Sequence, residues 1–223
     1  MARIRDFTAR KGANVFLFDP QPSCVRHIAH ALVKNGFAGG SIIPNFVGAV
    51  EGEVIEVDTS SDCDGRWPIT ELEARNAGGA EIPRNKLTKI KTVTLSQVVP
   101  ANARIVHAKV DTEGAEHVVL RSMLPLLQQG RIDSVIFEIT PMWWAMQGAP
   151  DKAAVIDLFL TLITKYGFNC RPLDKAPWAT NPLYTKDNVS SLATKIGETF
   201  QTDFWFCKGQ LCYDAGVADR EEK

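Results

Sequence analysis

The chain has 223 residues, 45% hydrophobic and 23% charged, with 25 Lys and Arg against 26 Asp and Glu for a formal net charge of -1. That composition excludes collagen-like, disordered and repeat-dominated chains, and the length suffices for a sizeable core. The near-neutral balance excludes the broad positive field of a general nucleic-acid binder, and no apolar run reaches the ~18 residues of a membrane span.

The elements follow in chain order. Residues 1–11 are charged and read as the end of a helix. Asn14 to Phe18 is an apolar run that predicts a buried strand. Pro22 opens a helix with Val25, Ile28, Ala29 and Leu32 on one stripe, closed by Asn35-Gly36. Ser41 to Val50 and Glu53 to Val57 read as two strands around a Glu51-Gly52 turn. Residues 58–86 are polar and rich in Gly, Pro and Asp, and predict a surface excursion. Lys91 to Leu95 and Ile105 to Val110 are further predicted strands.

A helix follows Gly114, with Leu120, Met123, Leu124 and Leu127 on its stripe and Pro125 as a kink or restart. Ser134 to Ile139 predicts a strand. Asp151 is an N-cap for a helix carrying Val155, Leu158, Phe159, Leu162 and Tyr166, ended by Gly167. Phe204 to Cys207 is a late strand. This alternation argues an α/β fold with a mostly parallel sheet, helices on both faces and a late antiparallel strand. One domain is expected over 1–217, with a charged tail at 218–223.

Five cysteines stand at 24, 63, 170, 207 and 212, without a CxxC pair. Their odd count and scatter predict free thiols in a reducing compartment. The N-terminus, Met1 to Phe7, lacks an apolar signal-peptide core, so the default expectation is cytoplasmic. An N-terminal truncation would hide any targeting segment.

In open α/β sheets, ligands bind beyond the carboxyl ends of the strands. Three predicted strands reach that edge with a carboxylate: Asp19 after Phe18, Asp111 after Val110, and Glu138 after Phe137. Asp19 suits the hydroxyls of a ribose, and equally suits the start of a helix. The run Lys109-Val110-Asp111-Thr112-Glu113-Gly114-Ala115-Glu116-His117 is the densest cluster. Gly114 permits a tight strand-to-helix turn, Asp111 and Glu113 point into the crevice, and Glu116 lies where the helix dipole favours an acid. Lys109 is either a snorkelling strand residue or an ammonium paired with one of these acids. Crowded acids suit proton handling or cation binding, and also occur as ordinary capping residues.

Val110-Asp111-Thr112-Glu113-Gly114-Ala115-Glu116, followed by Val119-Leu120-Arg121, resembles the signature of FkbM-like methyltransferases. Phe18-Asp19-Pro20-Gln21-Pro22 is similar to that family's acidic strand end. Lys91-Thr92-Val93-Thr94-Leu95 and Val135-Ile136-Phe137-Glu138 resemble the strands flanking the signature. The likeness covers roughly residues 14–140. It implies a Rossmann-like class I methyltransferase sheet and S-adenosylmethionine as cofactor. It further implies that Asp19 holds the ribose, that Phe46 and Val47 lie near the adenine, and that Asp111 lies beside the methionine end. Asp111, Glu113 and Glu138 would then be the catalytic carboxylates. The implied acceptor is a sugar or a small-molecule hydroxyl. The first strand and glycine-rich loop that such a fold places ahead of Asp19 are not recognisable in residues 1–18.

Two alternatives stand beside this. A nicotinamide-dependent oxidoreductase also uses an acid at this strand end, but calls for an upstream GxGxxG. A non-catalytic α/β domain would have lost its cofactor loop. Ser60 to Gly65 with Glu71 mimics a calcium loop but lacks flanking helices. Trp143, Trp144 and Trp178 could stack on an acceptor or simply cover the core, with Trp143 favoured for the first role by its place after a strand end. His27 and His30 fall on the polar side of their helix, and His117 reads as solvated. No His/Cys cluster predicts a metal.

Overall fold

The computed structural model describes residues 14–36, 39–58, 63, 86–149, 151–174 and 181–209. The expectations for residues 1–11, the missing first strand, most of the 58–86 excursion, the calcium-like loop, Trp178, Cys212 and the 218–223 tail lie outside them. The chain is a mixed α/β protein divided into two compact units, one up to Val93 and one from Thr94 onward.

In the first unit, β1 (Val15–Phe18) runs parallel to β2 (Gly40–Ile43) in a two-stranded sheet. Helix α1 (Pro22–Lys34) joins them. Pro22 occupies its first position, where a missing N–H costs nothing. Gly36, at φ 72°, takes the left-handed turn that ends it. His27 and His30 are exposed, as the stripe predicts. A second two-stranded sheet pairs β3 (Val54–Asp58) antiparallel with β4 (Leu87–Lys91).

The second unit begins with α2 (Leu95–Val98) and contains a four-stranded sheet in the order β5-β6-β8-β7. Its strands are β5 (Ala108–Val110), β6 (Ser134–Ile139), β7 (Asn169–Pro172) and β8 (Thr202–Cys207). β5 and β6 are parallel, whereas β8 runs antiparallel to both β6 and β7. Helices α3 (Glu116–Gln128), α4 (Lys152–Thr164) and α5 (Val189–Glu198) complete the unit.

These observations correct several expectations. The described strands form three small sheets of mixed direction, not one mostly parallel Rossmann sheet. The late antiparallel strand is present as β8. β2 stops at Ile43, and only Val47 beyond it makes an isolated bridge, to Val93. The strand after the Glu51-Gly52 turn pairs with β4 rather than with β2. Of the expected strand Lys91–Leu95, only Lys91 lies in a strand, as the end of β4, and Val93 makes the isolated bridge to Val47. Thr94 and Gln97 form a capping box that starts α2 at Leu95. Pro125 sits inside the last turn of α3, which continues through it to Gln128.

β6 is not covered evenly on its two faces. Val135, Phe137 and Ile139 are fully buried, while Ile136 and Glu138 on the other face are only partly so. The two-residue period of a strand imposes this split even though the run is mostly apolar. The buried face is aromatic. Phe137 meets Phe159 of α4 edge-on at 5.1 Å and Phe206 of β8 at 6.1 Å, and Trp144 stacks on Phe159 at 6.0 Å.

Asp151 caps α4 as expected, its side chain accepting the Ala153 amide N–H at 3.0 Å. Asp151→Ala is expected to lower stability by about 1 kcal/mol in urea denaturation, with an unchanged m-value.

The cysteines overturn the free-thiol expectation. Cys24, in the first turn of α1, is disulfide-bonded to Cys63, 39 residues along the chain. Cys207 is also disulfide-bonded, and Cys170 is a buried free thiol. Scatter in sequence does not prevent pairing, because the fold brings the Cα atoms of Cys24 and Cys63 to 4.6 Å. The inference of a reducing compartment loses its basis. Among the described residues, no helix is long and apolar enough to cross a membrane.

Candidate functional site

Asp19 stands just beyond the carboxyl end of β1. Its Oδ1 accepts the Gln21 amide N–H at 2.8 Å, a local turn that leads into Pro22 and α1. Asp19 is not the cap of α1, which is Gln21, and the first turn of α1 holds no acid. Burial pushes its carboxyl above the ordinary range, and the Gln21 hydrogen bond opposes that shift. Phe46 and Val47 are half-buried. The Phe46 carbonyl accepts the Val93 amide at 2.9 Å, so the backbone of this segment is held by the strand-like residues that follow β4.

In the second unit, Asp111, Glu113 and Glu138 each offer a carboxylate oxygen within 4.8 Å of the others. Sheet register explains why. The parallel β5–β6 ladder ends at Val110↔Phe137, so Asp111 and Glu138 are the next residues along each strand. Across β6, Glu138 is paired in register with Asp203 of β8. Lys109 lies in the same cluster. Its Nζ is 3.6 Å from Asp111 and forms a short ion pair with Asp203. The functional reading of Lys109 as a paired ammonium is the one realised.

Crowding four carboxylates around one ammonium shifts proton affinities. Burial, then a hydrogen bond and charge repulsion from Asp111, push the Glu138 carboxyl up to about 7, while Lys109 and Gln201 pull the other way. Burial, then the Asp111 charge, also raise the Glu113 carboxyl. Glu113 is further constrained by its backbone. It has φ 50°, in the left-handed region where non-glycine residues are uncommon. Its carbonyl accepts from the Gln147 side chain at 3.3 Å, and its Oε2 is buried with no hydrogen-bond partner. Such strain collects where function over-determines a conformation.

Gly114 makes this turn possible. Its φ is 100°, and a Cβ there would lie 2.7 Å from Trp143 Cβ and 3.1 Å from the Trp143 backbone. Both the conformation and the close approach require glycine. Trp143 remains partly exposed, whereas Trp144 is buried and belongs to the core. His117 is a correction. It is buried, not solvated, and its Nδ1 lies 3.1 Å from the Gly114 carbonyl oxygen. Burial lowers its proton affinity below the ordinary imidazole range. As the second residue of α3, its side chain folds back onto the strand-to-helix turn, which no helical periodicity reports.

The expected catalytic carboxylates thus come together, while Asp19, Phe46 and Val47 belong to the other unit. The sequence did not single out Gln201 and Asp203. Asp203 carried a signal, as the one acid in the otherwise apolar run leading to Cys207. Its meaning depended on antiparallel pairing of β8 with β6, which no local pattern specifies.

Two carboxyls at neighbouring strand ends, one pushed up to about 7 by burial and by the other, stand beside a lysine. The chain belongs to the FkbM methyltransferase domain family, which matches residues 2–170. That membership makes it a methyltransferase-type protein. No curated protein and no solved structure matches the chain.

Proposed function

We propose that the protein is an S-adenosylmethionine-dependent methyltransferase that methylates an oxygen acceptor, a sugar or a small-molecule hydroxyl. The observation that carries this is the Asp111–Glu113–Glu138 carboxylate cluster in a chain of the FkbM methyltransferase domain family. The residues present fit the cofactor's chemistry. Asp19 has one oxygen engaged by Gln21, leaving the other to accept from a ribose hydroxyl. Phe46 and Val47 supply apolar surface for the adenine. In the second unit, a carboxylate such as Asp111 is a natural partner for the ammonium of the cofactor's methionine end.

S-adenosylmethionine, when bound, supplies an electrophilic methyl group on a sulfonium. The carboxylates do the rest of the work. Glu138, once ionised, would take the proton of an acceptor hydroxyl as general base. Its hydrogen bond to Asp111 lets the two carboxyls share that proton. Lys109, neutralised by Asp111 and Asp203, keeps the crowded acids from repelling one another apart. Trp143, partly exposed beside Gly114, offers an aromatic face for a sugar or ring-bearing acceptor.

Calorimetric titration with S-adenosylmethionine and with NAD tests the proposal. Saturable binding of S-adenosylmethionine is expected, weakened about tenfold or more in Asp19→Ala through loss of a charge-assisted hydrogen bond. Binding of NAD alone would replace this proposal with an oxidoreductase. Binding of neither by the folded protein would favour a non-catalytic domain.

A further inference from the structure

The β5–β6 ladder stops at Val110↔Phe137, so Asp111 and Glu113 lie beyond the backbone pairing that aligns these two strands. Register sets Asp111 next to Glu138 at the ladder's end, but the turn that carries Glu113 needs a further constraint. A buried acid supplies it. Glu116, the first residue of α3, has no exposed surface. Its Oε1 accepts the Gly114 amide N–H at 2.7 Å and the Thr140 hydroxyl at 3.2 Å, with the Thr112 hydroxyl at 3.5 Å. Its Oε2 accepts the Trp144 indole N–H at 3.1 Å. Thr112 and Gly114 belong to the turn after β5. Thr140 and Trp144 belong to the segment after β6. One carboxylate therefore ties together the two strand-end segments that carry Asp111, Glu113 and Glu138.

Two further contacts join the same segments. Gly114 packs against Trp143, and Gln147 donates to the Glu113 carbonyl. Trp144 in turn is anchored in the core by stacking on Phe159. The chain of contacts runs from the aromatic core, through the indole N–H and Glu116, to the Gly114 amide beside Glu113. A buried carboxylate accepting from several donors is rigid, because losing any donor leaves part of a charge unsolvated.

We infer that Glu116 is a positioning residue whose buried carboxylate clamps the Thr112–Gly114 turn to the Thr140–Trp144 segment and so sets the spacing of Asp111, Glu113 and Glu138. The inference deepens the methyltransferase proposal and rests on it for its catalytic meaning. Glu116 itself is buried and is not one of the three clustered carboxylates.

The test follows the Glu138 carboxyl by carbon NMR titration of the whole protein without cofactor, its resonance assigned with Glu138→Gln. Around it stand Asp111 and Lys109 at the end of β5, Glu113 in the turn that follows, Gln201 just before β8 and Asp203 within it. The Glu138 midpoint is about 7 while Asp111 is held beside it. In Glu116→Gln, one of the four donors faces an amide that also donates, and the clamp loosens. The midpoint is then expected to fall by about one pH unit or more as Asp111 moves away. Ser122→Ala is the control. It removes another buried hydrogen bond of α3, from the Leu95 amide, and is expected to lower stability without moving the midpoint. If Glu116→Gln does not fold, Trp144→Phe keeps the stacking ring, removes only the N–H, and is expected to shift the midpoint in the same direction. An unchanged midpoint in the folded variant, or an equal shift in Ser122→Ala, overturns the inference. Calorimetry with S-adenosylmethionine judges the functional proposal separately, since the titration is read without it.

Discussion

Glu138→Gln is expected to lower the rate of methyl transfer by about 10²–10⁴-fold while leaving S-adenosylmethionine affinity unchanged. The amide keeps the shape of the side chain but cannot take a proton. Formation of S-adenosylhomocysteine with a panel of hydroxyl acceptors gives the rate, and calorimetry gives the affinity. In the wild type the rate should rise with pH through about 7, as Glu138 ionises beside Asp111. A rate that is flat across this range, or an undiminished rate in the variant, would remove Glu138 from the base role.

The same carboxyl makes stability depend on pH. Its folded-state value, about 7, lies above the ordinary 4.5. The folded protein therefore holds this proton more tightly than the unfolded chain does. Its contribution is fully present below about pH 4.5 and is lost as pH rises through 7. Glu138 is half-buried, and solvent screening on its open side reduces the effect to about 1 kcal/mol. Urea denaturation at pH 5 and pH 8 should show this loss in the wild type, and Glu138→Gln should make it smaller, with the raised carboxyls of Asp19 and Glu113 leaving a remainder.

Phe137→Ala is expected to destabilise the protein by about 3–5 kcal/mol, the largest single effect on the fold. Phe137 is fully buried in β6 and contacts Phe159 and Phe206, so truncation opens a cavity between a strand, its neighbour and a helix. For a chain of this size each kcal/mol lowers the melting temperature by about 2–4 °C. A fall of about 10 °C or more by calorimetric melting is therefore expected. A fall of only a degree or two would mean that the aromatic cluster collapses to fill the gap.

These two residues stand side by side in β6 and were legible to different degrees. The run Ser134–Ile139 identified the strand to the residue, because its apolar density and flanking breaks are local properties. The Asp151 cap and the Asn35-Gly36 stop were equally legible, since a single side chain or a glycine satisfies each helix end. The acidic signature from Asp111 to Glu116 was visible as a cluster of charge. Its division of labour was not. Asp111 and Glu113 face Glu138, while Glu116 turns inward to accept from Gly114, Thr140 and Trp144. Successive residues of a tight turn point in directions that depend on backbone angles such as the positive φ of Glu113 and Gly114.

The sequence by itself determined the mixed α/β class, most helix and strand positions in the second unit, and the strand-end acids. Each rests on short-range periodicity and capping chemistry. Only the tertiary structure decided that the strands divide into small sheets, and that β8 sets Asp203 opposite Glu138. It also decided that Cys24 meets Cys63 and that His117 is buried. Each of these depends on which distant segments pair, and pairing is chosen by the summed packing of many residues rather than by any one local pattern. The near-zero net charge of the whole chain is thus compatible with a sharply polarised centre. Asp111, Glu113, Glu138 and Asp203 gather around Lys109, a concentration of charge that the composition averages away.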